Sequence, residues 1–280
     1  MKAGQASRTA TMVCVGRALA HGHTEAPLFS DPTAFTLLPD DARRTVERAR
    51  AGGVRARLAR PYFETMEAMM VSRTVAIDQA IRGRKPLQQL IILGAGLDGR
   101  AWRMSELSDS VVFEVDHPDT QAAKRKRAAA LTMKARALHF VPVDFTKDSL
   151  DTELEKATHD RSRPTTWVWE GVVPYLTPAQ VEATLDVVVS RSTPGSRLIA
   201  TYQVTSLSRL FVGSLVSLLG EPFRSGFTPE QMARLLIIRG LTVHSDEDLV
   251  SLSAMAGLDP KRIGHITRAS HVVVADRSAS

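Results

Sequence analysis

The sequence predicts an α/β protein built on a mostly parallel sheet, and three observations carry that expectation. From residue 86 onward, short apolar runs alternate with longer helical stretches. The first run, QLIIL, stops at Gly94 and leads through Gly94, Gly96 and Gly99, on G-x-G-x-x-G spacing, into a helix. Two further apolar runs near the C-terminus bring the strands to seven, which suits a sheet whose final strand inserts antiparallel.

Before residue 86 no strand pattern appears. Residues 7–20, 41–60 and 62–82 read as helices, with the turn-rich HGHTEAPLFSDP after the first. Arg8 and Arg17 bracket the only apolar core of the first stretch, which is too short for a secretory segment and reads as a helix of the folded protein. The strands are expected at 89–93, 111–115, 139–143, 165–169, 197–202, 241–246 and 271–276. Thr177 can cap a helix running from Pro178 to Ser190, and Pro229 opens another that ends at Gly240. Residues 203–226 interrupt the sheet pattern with an apolar helix and a loop. The expected organisation is one domain over 1–280: a helical cap (1–85), then a sheet core (86–280) whose 203–226 insertion lies on the substrate side.

Composition narrows the function classes. A formal charge of +6 and a pI near 9.8 invite a nucleic-acid partner, but the basic residues are scattered along the chain. The one dense run, Lys124–Arg127, is expected to be a solvated helix face. No run approaches the ~18 uncharged apolar residues of a membrane span. The single cysteine, Cys14, excludes an internal disulfide and suits a reducing cytoplasm. No metal constellation, P-loop or G-x-S-x-G elbow occurs.

The glycine turn alone fits NAD or another adenosine cofactor. Glu114 and Asp116 both stand at the end of strand two, on the same side by alternation; Asp116, nearer the carboxyl edge, is preferred as the ribose ligand. Strand three ends at Asp144 and Phe145, where a carboxylate can accept adenine amino hydrogens and a ring can cover the base. Such an acid suits S-adenosylmethionine, whereas NAD folds have no general need for it; the competing reading of Asp144 is a helix cap. Glu170, at the end of strand four, points to where a methionine ammonium would lie.

With these residues in place the chain resembles the leucine carboxyl methyltransferase family, in its bacterial small-molecule branch. The likeness runs through TATMVCVGRALA, LFSDPTAFTLL, SRTVAID, LGAGLDGRAWR, FEVDHP, VPVDF, WEGVVPYLTP and GEPFRSGFTPEQMARLL. The resemblance implies the class I methyltransferase fold, a Rossmann-like seven-stranded sheet with an N-terminal helical cap, and S-adenosyl-L-methionine as methyl donor. It implies that Arg73 grips the cofactor carboxylate, that Gly94 and Gly96 line the methionine side and that Asp116 binds the ribose. Asp144 and Phe145 would then hold the adenine, and Glu170 the ammonium. Relatives usually carry Thr or Ser where this chain has Gly99, so a looser turn is expected there.

The resemblance also sets Tyr175 near the reacting end, and Arg209 and Arg224 are candidate contacts for an anionic substrate. His117, His244 and His271 have no catalytic spacing and read as structural or exposed. The expected activity is O-methylation of a small molecule, at a carboxylate rather than a hydroxyl, since a carboxylate is already ionised at neutral pH. The alternatives are methylation of a protein C-terminal carboxyl group, or an NAD(P)-dependent oxidoreductase, for which a Tyr-x-x-x-Lys pair is missing.

Overall fold

The computed structural model describes residues 8–52, 54–145, 147–204, 223–260 and 268–278, the side chains of 54–60 excepted. The N-terminal helices are α1 (Arg8–Ala20), α2 (Ala34–Leu37), α3 (Asp40–Ala51) and α4 (Val54–Arg82). Then come β1 (Gln89–Leu93), α5 (Arg100–Arg103), β2 (Val111–Asp116), α6 (Pro118–Ala128), β3 (Ala137–Pro142) and α7 (Leu150–Lys156). The chain continues through β4 (Thr165–Trp169), α8 (Pro178–Ser190) and β5 (Arg197–Gln203). It closes with α9 (Pro229–Ile237), β6 (Leu241–Asp248), α10 (Leu249–Met255) and β7 (Ser270–Arg277).

The seven strands form one sheet in the order β3-β2-β1-β4-β5-β7-β6. The β2–β1, β1–β4, β3–β2 and β4–β5 pairs are parallel, and β7 lies antiparallel between β5 and β6. This is the expected seven-stranded α/β architecture, its reversed strand inserted next to the edge. β1 and β4 are buried along their whole length, as parallel strands covered on both faces must be. One apolar cluster joins that sheet face to α1, α2 and α4, through Cys14, Leu37, Ile77, Leu90 and Val168. The other face packs Trp167, Trp169, Tyr202 and Val273 against α8 and α9.

The helix boundaries carry their own signals. Thr177 and Gln180 close a reciprocal capping box at the start of α8, and Thr228 and Gln231 do the same for α9. The division expected near residue 61 is corrected: α4 runs straight through Pro61, and the break falls at Gly52, whose φ of +74° takes the left-handed side.

The basic run in α6 is also corrected. Lys124 is 1% exposed, with Nζ 2.6 Å from Glu114 Oε2 on β2 and 5.3 Å from the Trp102 ring centroid. Arg127 donates to the Leu37 carbonyl at 2.7 Å; only Arg125 and Lys126 are exposed. A helix turns about 100° per residue, so four consecutive cations cannot share one face. Among the described residues no helix is long and apolar enough to cross a membrane.

Candidate active site

Strand register sets the frame of the site. Leu93 aligns with Val115 on β2 and with Trp169 on β4, so Gly94, Asp116 and Glu170 follow side by side at the carboxyl edge. Asp116 aligns with Pro142, and Asp144 lies two residues beyond it. At ~4.8 Å between strands, the three acids span roughly 14 Å along one edge. They form a row rather than a cluster.

Gly94 and Gly96 have φ of +66° and +49°, and the turn between them is held by Ala95 N donating to Val115 O at 3.0 Å. The Asp116 carboxylate accepts from Gly96 N and, at 2.6 Å, from His117 N. Burial raises the Asp116 carboxyl above its ordinary value, against the pull of these two amides. Asp116 is thereby anchored beside the glycine turn. Glu114, the other acid on β2, faces Lys124 inside the protein; burial pushes its carboxyl up to about 7 although Lys124 opposes the shift.

The looser turn expected at Gly99 is not found. A Cβ there would lie 1.9 Å from Thr33 Oγ1, so the missing side chain makes room for the segment before α2. Asp98 Oδ1, one residue earlier, accepts from Arg100 N at 2.7 Å, and Thr33 Oγ1 donates to Asp31 Oδ1 at 2.6 Å.

Arg73 and Glu170 are in direct contact, Nε to Oε1 at 2.8 Å, although 97 residues separate them. Arg100 Nη1 reaches the other Glu170 oxygen at 3.0 Å. Arg100 also donates to Asp78 at 2.8 Å and pairs with Asp98; Arg103 pairs with Asp78 at 2.5 Å and, at 3.8 Å, with Asp31. Asp31 in turn lies 3.2 Å from Arg17. Four arginines and four acids thus form one connected network, net neutral, with every side chain 10% exposed or less. Burial would raise the Glu170 carboxyl, but Arg73, Arg100 and Arg17 outweigh it and hold the group far below the usual carboxylate range.

Sequence reading found Arg73 and Glu170 but not the rest of this network. Arg100 and Arg103 stand in the GRAWR segment after the glycine turn, and their spacing was the available signal. Arg100 Nη2 is buried without a hydrogen-bond partner among the described residues. That orphan donor, on the guanidinium that also holds Glu170, fits an acceptor oxygen such as a ligand carboxylate would supply.

Of the other expected residues, Asp144 is only partly buried, and Lys147 Nζ stands 3.3 Å from it. α7 is capped by Ser149 accepting from Thr152 N, and Thr146, which the competing reading of Asp144 would have it cap, lies outside the described residues. Phe145 packs against the core at the same edge. Tyr175 meets Phe223 at a tilt of 53° with ring centroids 5.5 Å apart, and Arg224 N donates to the Pro174 carbonyl at 2.7 Å, so Arg224 stands exposed beside Tyr175. Arg209 lies outside the described residues, as does most of the 203–226 insertion. His117 caps α6, His244 Nε2 lies 3.1 Å from Asp276, and His271 Nδ1 lies 2.9 Å from Asp246.

This donor set fits an adenosyl amino acid: opposite charges for a zwitterionic head, a carboxylate beside a glycine turn for a ribose, and an acid with a ring at the far end of the row. The comparisons with known proteins agree. The model of the leucine carboxyl methyltransferase family matches residues 10–189. A candidate S-adenosyl-L-methionine-dependent methyltransferase of Mycolicibacterium gilvum is 33% identical over 229 residues, covering 79% of this chain and 73% of that one. A counterpart from Mycolicibacterium paratuberculosis is 35% identical over 71% of this chain and 67% of its own. Among solved structures, a candidate methyltransferase from Thermobifida fusca aligns with a TM-score of 0.59 at 17% identity, over 99% of this chain and 97% of its own. A magnesium protoporphyrin IX methyltransferase from Synechocystis, solved with bound S-adenosylhomocysteine, aligns with a TM-score of 0.51 at 13% identity, over 76% of this chain and 87% of its own.

Proposed function

The chain belongs to the leucine carboxyl methyltransferase family and is an S-adenosylmethionine-dependent methyltransferase; on that premise we propose that it methylates a carboxylate oxygen of a small metabolite. The observation that carries the choice is the Tyr175–Phe223 ring pair, its planes tilted by 53°, with exposed Arg224 beside it: an aromatic corner flanked by one cation. That pairing suits an anionic organic acid. Of the described histidines, those already placed are occupied as a helix cap or beside an aspartate. A carboxylate acceptor needs no base.

S-adenosylmethionine supplies a methyl carbon activated by a positively charged sulfur. In this reading Arg73 leaves Glu170 to hold the cofactor carboxylate, with Arg100 Nη2 as a second donor, and Glu170 accepts from the ammonium. The zwitterionic head would add no net charge to the Arg73–Glu170 pair, while the sulfonium would add one positive charge. Asp116 holds the ribose, while Asp144 and Phe145 hold the adenine. Gly94 and Gly96 let the backbone lie close along the methionine side. Tyr175, Arg224 and Arg209 orient the acceptor, so the protein contributes alignment and exclusion of water. The whole chain acts as one catalytic domain, 1–85 capping the sheet core 86–280 with 203–226 beside the acceptor. Its single, buried cysteine suits work in the cytoplasm on secondary metabolites. Nucleic acid and membranes have no part in this reading.

The test incubates the protein and S-adenosylmethionine with matched panels of aryl or alkyl carboxylic acids and of phenols. Alkali-labile methyl esters in the acid panel are the expected product. Methyl ethers alone, from the phenol panel, would overturn the carboxylate assignment. Methylation only of peptide C-termini would move the acceptor from metabolite to protein.

A further inference from the structure

An open groove lies in the N-terminal helical cap, between α1, α3 and α4, with a volume of about 610 Å³. Its walls include Met12 and Val15 from α1, Phe63 and Met66 from α4, and Arg44 and Arg48 from α3. It is separate from the row of acids at the sheet edge. A Cβ placed on Gly96 would lie 2.9 Å from the Ala10 methyl, so α1 presents Ala10 to the glycine turn. Thr11, Val15 and Met12 follow at about 100°, 140° and 200° round the helix, which turns them to the far side. Along α4, Met66 is about 10 Å from Arg73, at 1.5 Å of rise per residue.

The lining sorts by chemistry. Val15 is buried and Met12, Phe63 and Met66 are half-buried, which gives an apolar floor. Tyr62, 56% exposed, meets Phe63 edge-on at 5.7 Å and extends the apolar wall to the mouth. Arg44 and Arg48 are one helical turn apart and exposed, and neither enters an ion pair among the described residues. Among the described residues Asp41 is the one acid in the lining, facing the two guanidinium groups of Arg44 and Arg48. The volume lies within the ~300–1,000 Å³ range of organic ligand sites.

We propose that this groove binds a medium- or long-chain aliphatic carboxylate, its chain between α1 and α4 and its head at Arg44 and Arg48. The planar guanidinium fork matches a carboxylate, and two such groups one helical turn apart can hold its two oxygens. The proposal does not depend on the identity of the methyl acceptor. A ligand here ties α3 to α1 and α4, and α1 is the helix that rests on the glycine turn.

The test is calorimetric titration of dodecanoate into the full chain saturated with S-adenosylhomocysteine. Binding without displacement of S-adenosylhomocysteine is expected. Methyl dodecanoate, which keeps the chain but not the charge, should bind about five- to tenfold more weakly, and the Arg44→Ala/Arg48→Ala double variant should lose dodecanoate affinity by a similar factor. S-adenosylhomocysteine affinity of that variant should equal that of the parent, which shows it folded. Phe63→Ala should weaken both probes. Displacement of S-adenosylhomocysteine, equal affinity for the ester, an unaffected double variant, or no binding at about 1 mM would each overturn the proposal.

Discussion

Gly99→Ala is the sharpest test of how the glycine turn is packed. Two effects oppose each other. Gly99 has φ of −110°, which any residue adopts, so an alanine there would stiffen the unfolded chain and stabilise by about 0.4–1 kcal/mol. Against this, the new Cβ would fall 1.9 Å from Thr33 Oγ1 and 3.1 Å from Thr33 Cβ. Thr33 is 4% exposed and its hydroxyl is tied to Asp31 at 2.6 Å, so it cannot swing away without losing that bond. Overpacking of this kind costs about 1–3 kcal/mol, and the broken hydrogen bond adds about 1 kcal/mol. The clash therefore wins by roughly 2 kcal/mol, and Tm should fall by about 4–8 °C. Thermal unfolding of the parent, both single variants and Gly99→Ala/Thr33→Ala completes the cycle. The double variant should recover part of the loss, because removing Oγ1 leaves the 3.1 Å approach to the residue 33 Cβ and an ordinary 3.4 Å contact with Asp31 Oδ1. A Gly99→Ala protein as stable as the parent, or strictly additive losses, would refute the packing argument.

Other expectations concern charge. Glu170→Gln should weaken S-adenosylhomocysteine binding about 10- to 100-fold by calorimetry and destabilise the fold, since Arg73 and Arg100 lose a buried partner; Glu170→Gln/Arg73→Met should regain stability but not affinity. Asp116→Ala and Asp144→Ala should each cost about 1–3 kcal/mol of cofactor affinity, and unchanged binding in both would remove them from the site. Glu114, pushed up to about 7 from 4.5, holds a proton in the folded state that the unfolded chain has released. Its contribution is full below about 4.5 and is lost as pH rises to about 7, so the difference in urea stability between parent and Glu114→Gln should change across that window and be flat above it. No change with pH would mean that Glu114 stays ionised beside Lys124.

The sheet was legible because β1 and β4 carry the apolar runs LIIL and WVW, and both strands end where those runs stop, at Gly94 and Glu170. The starts of α8 and α9 were legible from Thr and Pro at the first positions. Asp116 could be preferred to Glu114 by its place on the strand, but the reason Glu114 is spoken for, Lys124 reaching back from α6, is a tertiary fact. The same holds for Gly99: its absent side chain reads as a lost cap until Thr33, 66 positions earlier, is seen lying against it. Pro61 misled because helix interruption is a local rule, and the long α4 helix runs through it.

The balanced interior of four arginines and four acids has a consequence for how this protein can change over time. A substitution at Asp31, Asp78, Asp98 or Glu170 alone strands a positive charge away from water, and one at Arg17, Arg73, Arg100 or Arg103 strands a negative one. Descendants that keep the fold are therefore expected to alter such positions in compensating couples, as at 78 and 103, whereas 73 and 170, which hold the cofactor in the proposed reading, are expected to stay fixed.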